Sequence, residues 1–150
     1  MTEIRTTPGG TAKWTYDATA NDSDKSFTVP SGKVWQPLMI LGNIACTATV
    51  GNRNLLVTIS NGTALVWNSI KGGNIAASGY GNIQIGIDVT ISTTGRPPIS
   101  ALTAATVTVN DIMPYLMLPA GYIIRVYDLA AVDAAADDLI VSINYIEYDA

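Results

Sequence analysis

The run IQIGIDVTI (83–91) sets Ile83, Ile85, Ile87, Val89 and Ile91 against Gln84, Gly86, Asp88 and Thr90. Side chains alternate across a β-strand, so a period of two makes one apolar face and one polar face. A helix would scatter the same residues around its axis. The alternation recurs in LLVTIS (55–60), where Leu55, Val57 and Ile59 share a side, and in LIVSINYIEYD (139–149), where Leu139, Val141, Ile143 and Tyr145 do. Between such runs stand Gly51-Asn52, Asn61-Gly62, Gly72-Gly73, Gly79-Tyr80-Gly81, Gly95-Arg96-Pro97-Pro98 and Pro119-Ala120-Gly121. Asn61-Gly62 reads as a two-residue hairpin turn, because Asn and Gly tolerate the positive φ such a turn needs at both centres. Strands are expected near 26–30, 34–50, 54–60, 63–69, 82–91, 106–109, 112–118, 121–127 and 139–148. About eight strands at this spacing, with no helix between them, predict an all-β fold: an antiparallel β-sandwich or jelly roll.

A chain of 150 residues forms one domain and can bury one core of ordinary size. Its charge of −4 disfavours nucleic acid as a partner. Only 13% of residues are charged and 48% are hydrophobic, where an average soluble domain has roughly a quarter charged. So little charge predicts that part of the surface is covered by further copies or by another protein. No apolar run approaches the roughly 18 residues needed to span a bilayer, so no membrane is expected. MTEIRTTPGG (1–10) lacks the apolar core of a signal peptide, and synthesis in a cytosol is expected. The single cysteine, Cys46, lies in an apolar strand pattern and reads as a small core side chain.

The parts of most enzymes are missing. There is no histidine, which removes Ser-His-Asp and Cys-His nucleophiles, most zinc sites and the usual proton carrier near neutral pH. Glutamate occurs only at Glu3 and Glu147, near the two ends. No phosphate-binding or dinucleotide motif occurs. The sequence therefore reads as a non-enzyme without a metal or cofactor. Asp128, Asp133, Asp137 and Asp138 form the densest acidic group, but their spacing lacks the alternation and sharp-turn glycine of a calcium loop. The reading is a crossover loop between two strands, in which Asp133→Asn and Asp137→Asn together leave stability unchanged with or without calcium.

Residues 1–25 are polar and turn-rich, interrupted only by Trp14 and Tyr16. They hold too little apolar surface to order themselves, which predicts an extended N-terminal arm before a domain at 26–150. Trp14 and Tyr16 would anchor that arm on a neighbour. Trp35 and Trp67 lie in apolar runs and read as core.

Three segments taken together carry a resemblance. Val29, Pro30, Gly32 and Trp35 fit a VP-x-G-x-x-W pattern, and Thr47, Gly51, Asn52 and Arg53 fit T-x-x-x-GNR. Leu118 to Tyr122 with Arg125 give LPAGY-x-x-R, and Ala135 to Asp138 give AADD before the last strand. In this order and spacing the sequence resembles small virion proteins of tailed bacteriophages, across most of 27–149 but not 1–25 or 66–105. The resemblance implies a jelly-roll or sandwich fold and a decoration (cement) role on the capsid surface of the virion. Its implied partners are further copies, as a trimer, and the major capsid protein. A carbohydrate- or receptor-binding module of a tail or appendage is the alternative. Arg53 and Arg125 then have two readings each: pairing with an acid across a turn or strand, or meeting acidic patches on the shell.

Overall fold

Most of the alternating runs become strands, but the expected strand 34–50 ends at Ala45 and the expected strand 112–118 is strand only at Ile112 and Leu118. The computed structural model describes residues 9–69, 71–87 and 107–150, with 107–110 by backbone alone. Among them are strands β1 (Thr11–Asp17), β2 (Asp24–Thr28), β3 (Lys33–Ala45), β4 (Leu55–Ser60) and β5 (Leu65–Asn68). They continue as β6 (Tyr80–Gly86), β7 (Val107–Ile112), the two-residue β8 (Leu118–Pro119), β9 (Ile123–Asp128) and β10 (Asp138–Asp149). No helix occurs among the described residues. The expected strand at 82–91 is β6 as far as Gly86, and its end at 88–91 lies outside the described residues.

The strands make two sheets. One runs β1-β10-β3-β6-β7 with β8 beside the start of β3, and the other runs β2-β9-β4-β5. The inward residues of both build one core, with Ile40, Ile44, Ile83, Ile85, Val141 and Ile143 from the first sheet. Phe27, Leu55, Val57, Ile59, Ile124 and Val126 come from the second. This is a β-sandwich, as the alternation predicts. Among the described strands every strand pair is antiparallel except β6–β7, which is parallel, so the first sheet is mixed and not wholly antiparallel.

Long β3 contains Pro37, which has no N–H to give to a central ladder. The chain answers with an irregularity. β10 pairs Asn144 with Met39 but Tyr145 with Pro37, so Leu38 is the extra residue. The slip moves the core face of β3 from Trp35 on one side of the bulge to Ile40 and Ile44 on the other.

The expected boundary at 25/26 falls inside β2, and the arm expectation needs correcting over residues 11–25. Thr11–Asp17 is an edge strand of the domain's own sheet, in register with β10 from Thr11↔Glu147 to Asp17↔Val141. The backbone ladder orders it, so it needs no apolar mass of its own. The connection to β2 is fastened by Lys25, whose buried ammonium donates to the Thr19 carbonyl at 2.8 Å and to Asp22 at 3.2 Å. Asp17 stands 3.5 Å from the same nitrogen.

The Asn61-Gly62 turn also differs from expectation. Ser60 pairs with Leu65, so residues 61–64 all belong to the loop. Only Gly62 has positive φ, at 87°. Asn61 contributes its side chain instead, accepting the Thr63 and Ala64 N–H groups at 3.0 and 2.7 Å.

Candidate functional site

The resemblance motifs meet in pairs at the two ends of the sandwich. At one end the turns 30–33 and 119–122 have the same form: Lys33 N–H donates to Pro30 O and Tyr122 N–H to Pro119 O, each at 3.2 Å. Gly32 and Gly121 supply the positive φ, 74° and 85°, at the third position of each turn. The turns are tied together by Val29 N–H to Tyr122 O and Gly121 N–H to Val29 O, both 2.9 Å. Beside them Trp35 stacks on Tyr145 at 4.1 Å between ring centroids and donates its indole N–H to Glu147 at 3.0 Å. Glu147 also accepts from Lys13 at 2.6 Å, which locks edge strand β1 to the end of β10. These donors hold the Glu147 carboxyl below its ordinary value, Lys13 first and Trp35 second.

At the opposite end, loop 46–54 meets loop 129–137. Arg53 is fully buried there, as is Asp137. Arg53 Nε donates to Asp137 Oδ2 at 2.8 Å and Nη2 to Oδ1 at 3.2 Å, a two-pronged contact between residues distant in sequence. Nη1 donates to the carbonyls of Thr49 and Gly51 at 2.7 and 3.0 Å, and Nη2 also to Thr47 Oγ1 at 3.1 Å. Every guanidinium donor is therefore used, which is the condition for burying the charge at all. Asp137 Oδ1 takes a further bond from Thr47 N–H at 2.7 Å.

The neighbouring acids are engaged in the same way. Asp133 Oδ2 accepts the hydroxyls of Thr47 and Thr49 at 2.6 and 2.7 Å, which hold its carboxyl below the usual range. Asp128 accepts the N–H groups of Asn54 and Ala130 at 2.7 and 3.1 Å. Asp138 accepts Asn21 N–H at 2.6 Å. The Cys46 thiol, half-buried against the core, is pushed up to about 11 by burial first and by Asp137 second. A thiol held so firmly in the neutral form is a poor nucleophile. Among the described residues no group of three or more His, Cys, Asp or Glu is placed to hold a metal.

The acid-rich loop thus turns its functional groups inward and its small apolar groups outward. Val50 is 91% exposed and Leu129 48%. Ala48, Ala130 and Ala131 are exposed around them. The two loops touch, since a Cβ at Gly51 would lie 2.7 Å from Val132. The result is a pinned tip with apolar side chains outermost. Sequence reading missed this because the acids dominate the composition, and only Arg53, the one basic residue between Val34 and Ile70, hinted at a partner for them.

The four nominated contact residues separate. Trp14 is half-buried and Tyr16 is 65% exposed, both on the side of β1 that faces away from the core. Neither reaches out on a free arm. Arg53 is fully buried, so it offers nothing to a partner surface and takes the pairing role. Arg125 lies on the outer face of β9, paired with Asp24 through Nε at 2.7 Å and through Nη2, and over the Tyr127 ring at 4.1 Å.

No family model matches the chain, and no curated protein sequence matches it.

Proposed function

We propose that the chain is a jelly-roll decoration protein of a bacteriophage head, without enzymatic activity, which attaches to the outside of the shell as a trimer. The jelly-roll reading is supported by the strand order. β1-β10-β3-β6 and β2-β9-β4-β5 are the two four-stranded halves expected when a folded-over hairpin wraps around a core. The β4–β5 hairpin stays within one sheet, while β1–β2, β2–β3, β3–β4, β5–β6 and β9–β10 pass between sheets. The attachment reading is carried by one observation: the pinned apolar tip at Val50 and Leu129. A loop whose charges are all spent on its own rigidity loses little conformational freedom when it docks. Burying one Val or Leu side chain in a partner contributes about 1.5–3 kcal/mol.

Co-sedimentation of the purified protein with empty head shells tests the reading. Saturable binding that resists glycan competitors is expected. Binding to tail fragments or glycans and not to shells would replace it by the appendage reading. That second reading has its own observation. The outer row of the larger sheet sets Trp14 beside Asn144 and Tyr16 beside Ser142, aromatic rings of the kind that stack on sugars next to polar groups that hydrogen-bond their hydroxyls. The middle of that face is closed, however: Met39 and Leu41, next in those rows, are buried.

A further inference from the structure

We propose that Asn61 is a built-in deamidation site, whose conversion to aspartate or isoaspartate the native turn promotes. Asn61-Gly62 is the sole Asn-Gly pair in the sequence. Both residues are exposed. The reaction needs a backbone nitrogen as nucleophile, an electrophilic side-chain carbonyl and room for the ring between them. Gly62 brings no side chain, and the nearest atom to where a Cβ would stand is the Gly121 carbonyl oxygen at 3.8 Å. Its N–H donates to no group among the described residues, so water can reach and deprotonate it.

The turn supplies the remaining part. Asn61 Oδ1 already accepts two backbone N–H groups, from Thr63 at 3.0 Å and Ala64 at 2.7 Å. Those donors polarise the carbonyl, and they are aimed at the oxygen that becomes negative when the nitrogen adds. Paired donors on a developing oxyanion lower the barrier to acyl transfer. The Gly62 nitrogen gives up its proton and forms a bond to Asn61 Cγ. The bond from Cγ to the side-chain nitrogen then breaks, and ammonia leaves carrying the balancing proton. Water opens the resulting succinimide at either carbonyl, to aspartate or to isoaspartate. The sum is asparagine plus water giving a carboxylic acid plus ammonia.

The two products differ in consequence. Aspartate keeps an oxygen for the Thr63 and Ala64 donors and leaves the β4–β5 hairpin in register. Isoaspartate inserts a methylene into the backbone, which separates Ser60 from its partner Leu65 and loosens the hairpin beside Gly121.

The test ages the intact protein at neutral pH and physiological temperature, with a peptide spanning 55–68 as the unfolded reference. Peptide mapping by mass spectrometry follows the gain expected from replacing the NH2 of the side-chain amide by OH, and isoaspartate is counted by enzymatic methyl labelling. Asn61 in the native protein is expected to convert at least as fast as in the peptide and ahead of every other asparagine. Asn61→Asp should show no mass gain at this peptide. Native conversion about tenfold or more slower than the peptide, a barrier raised by roughly 1.4 kcal/mol, overturns the proposal, because the turn then protects its asparagine. Another asparagine reacting first overturns it as well.

Discussion

Arg53 and Arg125 make the same two-pronged contact with an aspartate, one in the interior and one at the surface. The Arg53–Asp137 pair is wholly enclosed, and the guanidinium has further bonds to Thr47, Thr49 and Gly51. The Arg125–Asp24 pair has its side chains 45% and 41% exposed, and the arginine also lies over the Tyr127 ring. The difference lies in what is left when one partner goes. At the surface, water replaces the lost partner. In the interior, an unpaired charge stays in a place that water does not reach. One pair joins two distant loops into a single body, and the other decorates a sheet.

The comparison breaks first at Asp137. Asp137→Ala leaves the Arg53 guanidinium buried without its counter-charge, and a loss of about 3–5 kcal/mol is expected from urea unfolding. Arg53→Ala should cost a similar amount. Replacing both together by apolar residues of like volume, Arg53→Met with Asp137→Leu, should recover most of it. This reverses the expectation from sequence that the loop acids are replaceable. A loss under about 1 kcal/mol for Asp137→Ala would place the pair in the surface class.

A smaller effect is expected from acid. Asp17, Asp133, Glu147 and Asp149 all have carboxyls held below their ordinary values, with Thr19, Thr47, Lys13 and Lys33 as the respective leading donors. A depressed folded pKa gives stability that is complete above the unfolded value and is lost as pH falls through the folded one. With ordinary values of 4.5 for Glu147 and 3.8 for Asp133, the urea midpoint should be flat toward neutrality and fall once the pH drops below that range. Glu147→Gln should make the fall shallower. A midpoint that stays level through this range would mean these contacts are as weak in the folded chain as in the unfolded one.

The smallest effect is expected at Arg125. Arg125→Ala should change stability by less than about 1 kcal/mol, measured by thermal or urea unfolding. A loss as large as that of Asp137→Ala would show that exposure does not separate the two arginines.

The sequence disclosed what is local and hid what is distant. Ile83 and Ile85, Leu55 to Ile59 and Leu139 to Ile143 announced their strands, because period two can be read within one segment. β1 alternates too, but its apolar set, Ala12, Trp14 and Tyr16, lies on the face away from the core, and Thr11, Lys13 and Thr15 lie on the core side of this edge strand. Apolar content was the wrong criterion for a strand ordered by its ladder. Arg53 and Asp137 were both singled out, yet nothing local joins residues so far apart. Their pairing follows only once loops 46–54 and 129–137 are known to share an end. Lys25 went unnoticed because a lysine in a polar stretch gives no sign that a carbonyl and two carboxylates will enclose it.

The central claim is that the inward-bonded loops exist to present an apolar tip to a partner. It is tested most directly by binding of the double variant Val50→Asp with Leu129→Asp to empty head shells, alongside its melting temperature. Both side chains are exposed, so the account predicts an unchanged melting temperature and an affinity at least about a hundredfold weaker, the equivalent of two lost apolar anchors. A variant that binds shells as tightly as the parent would contradict the account.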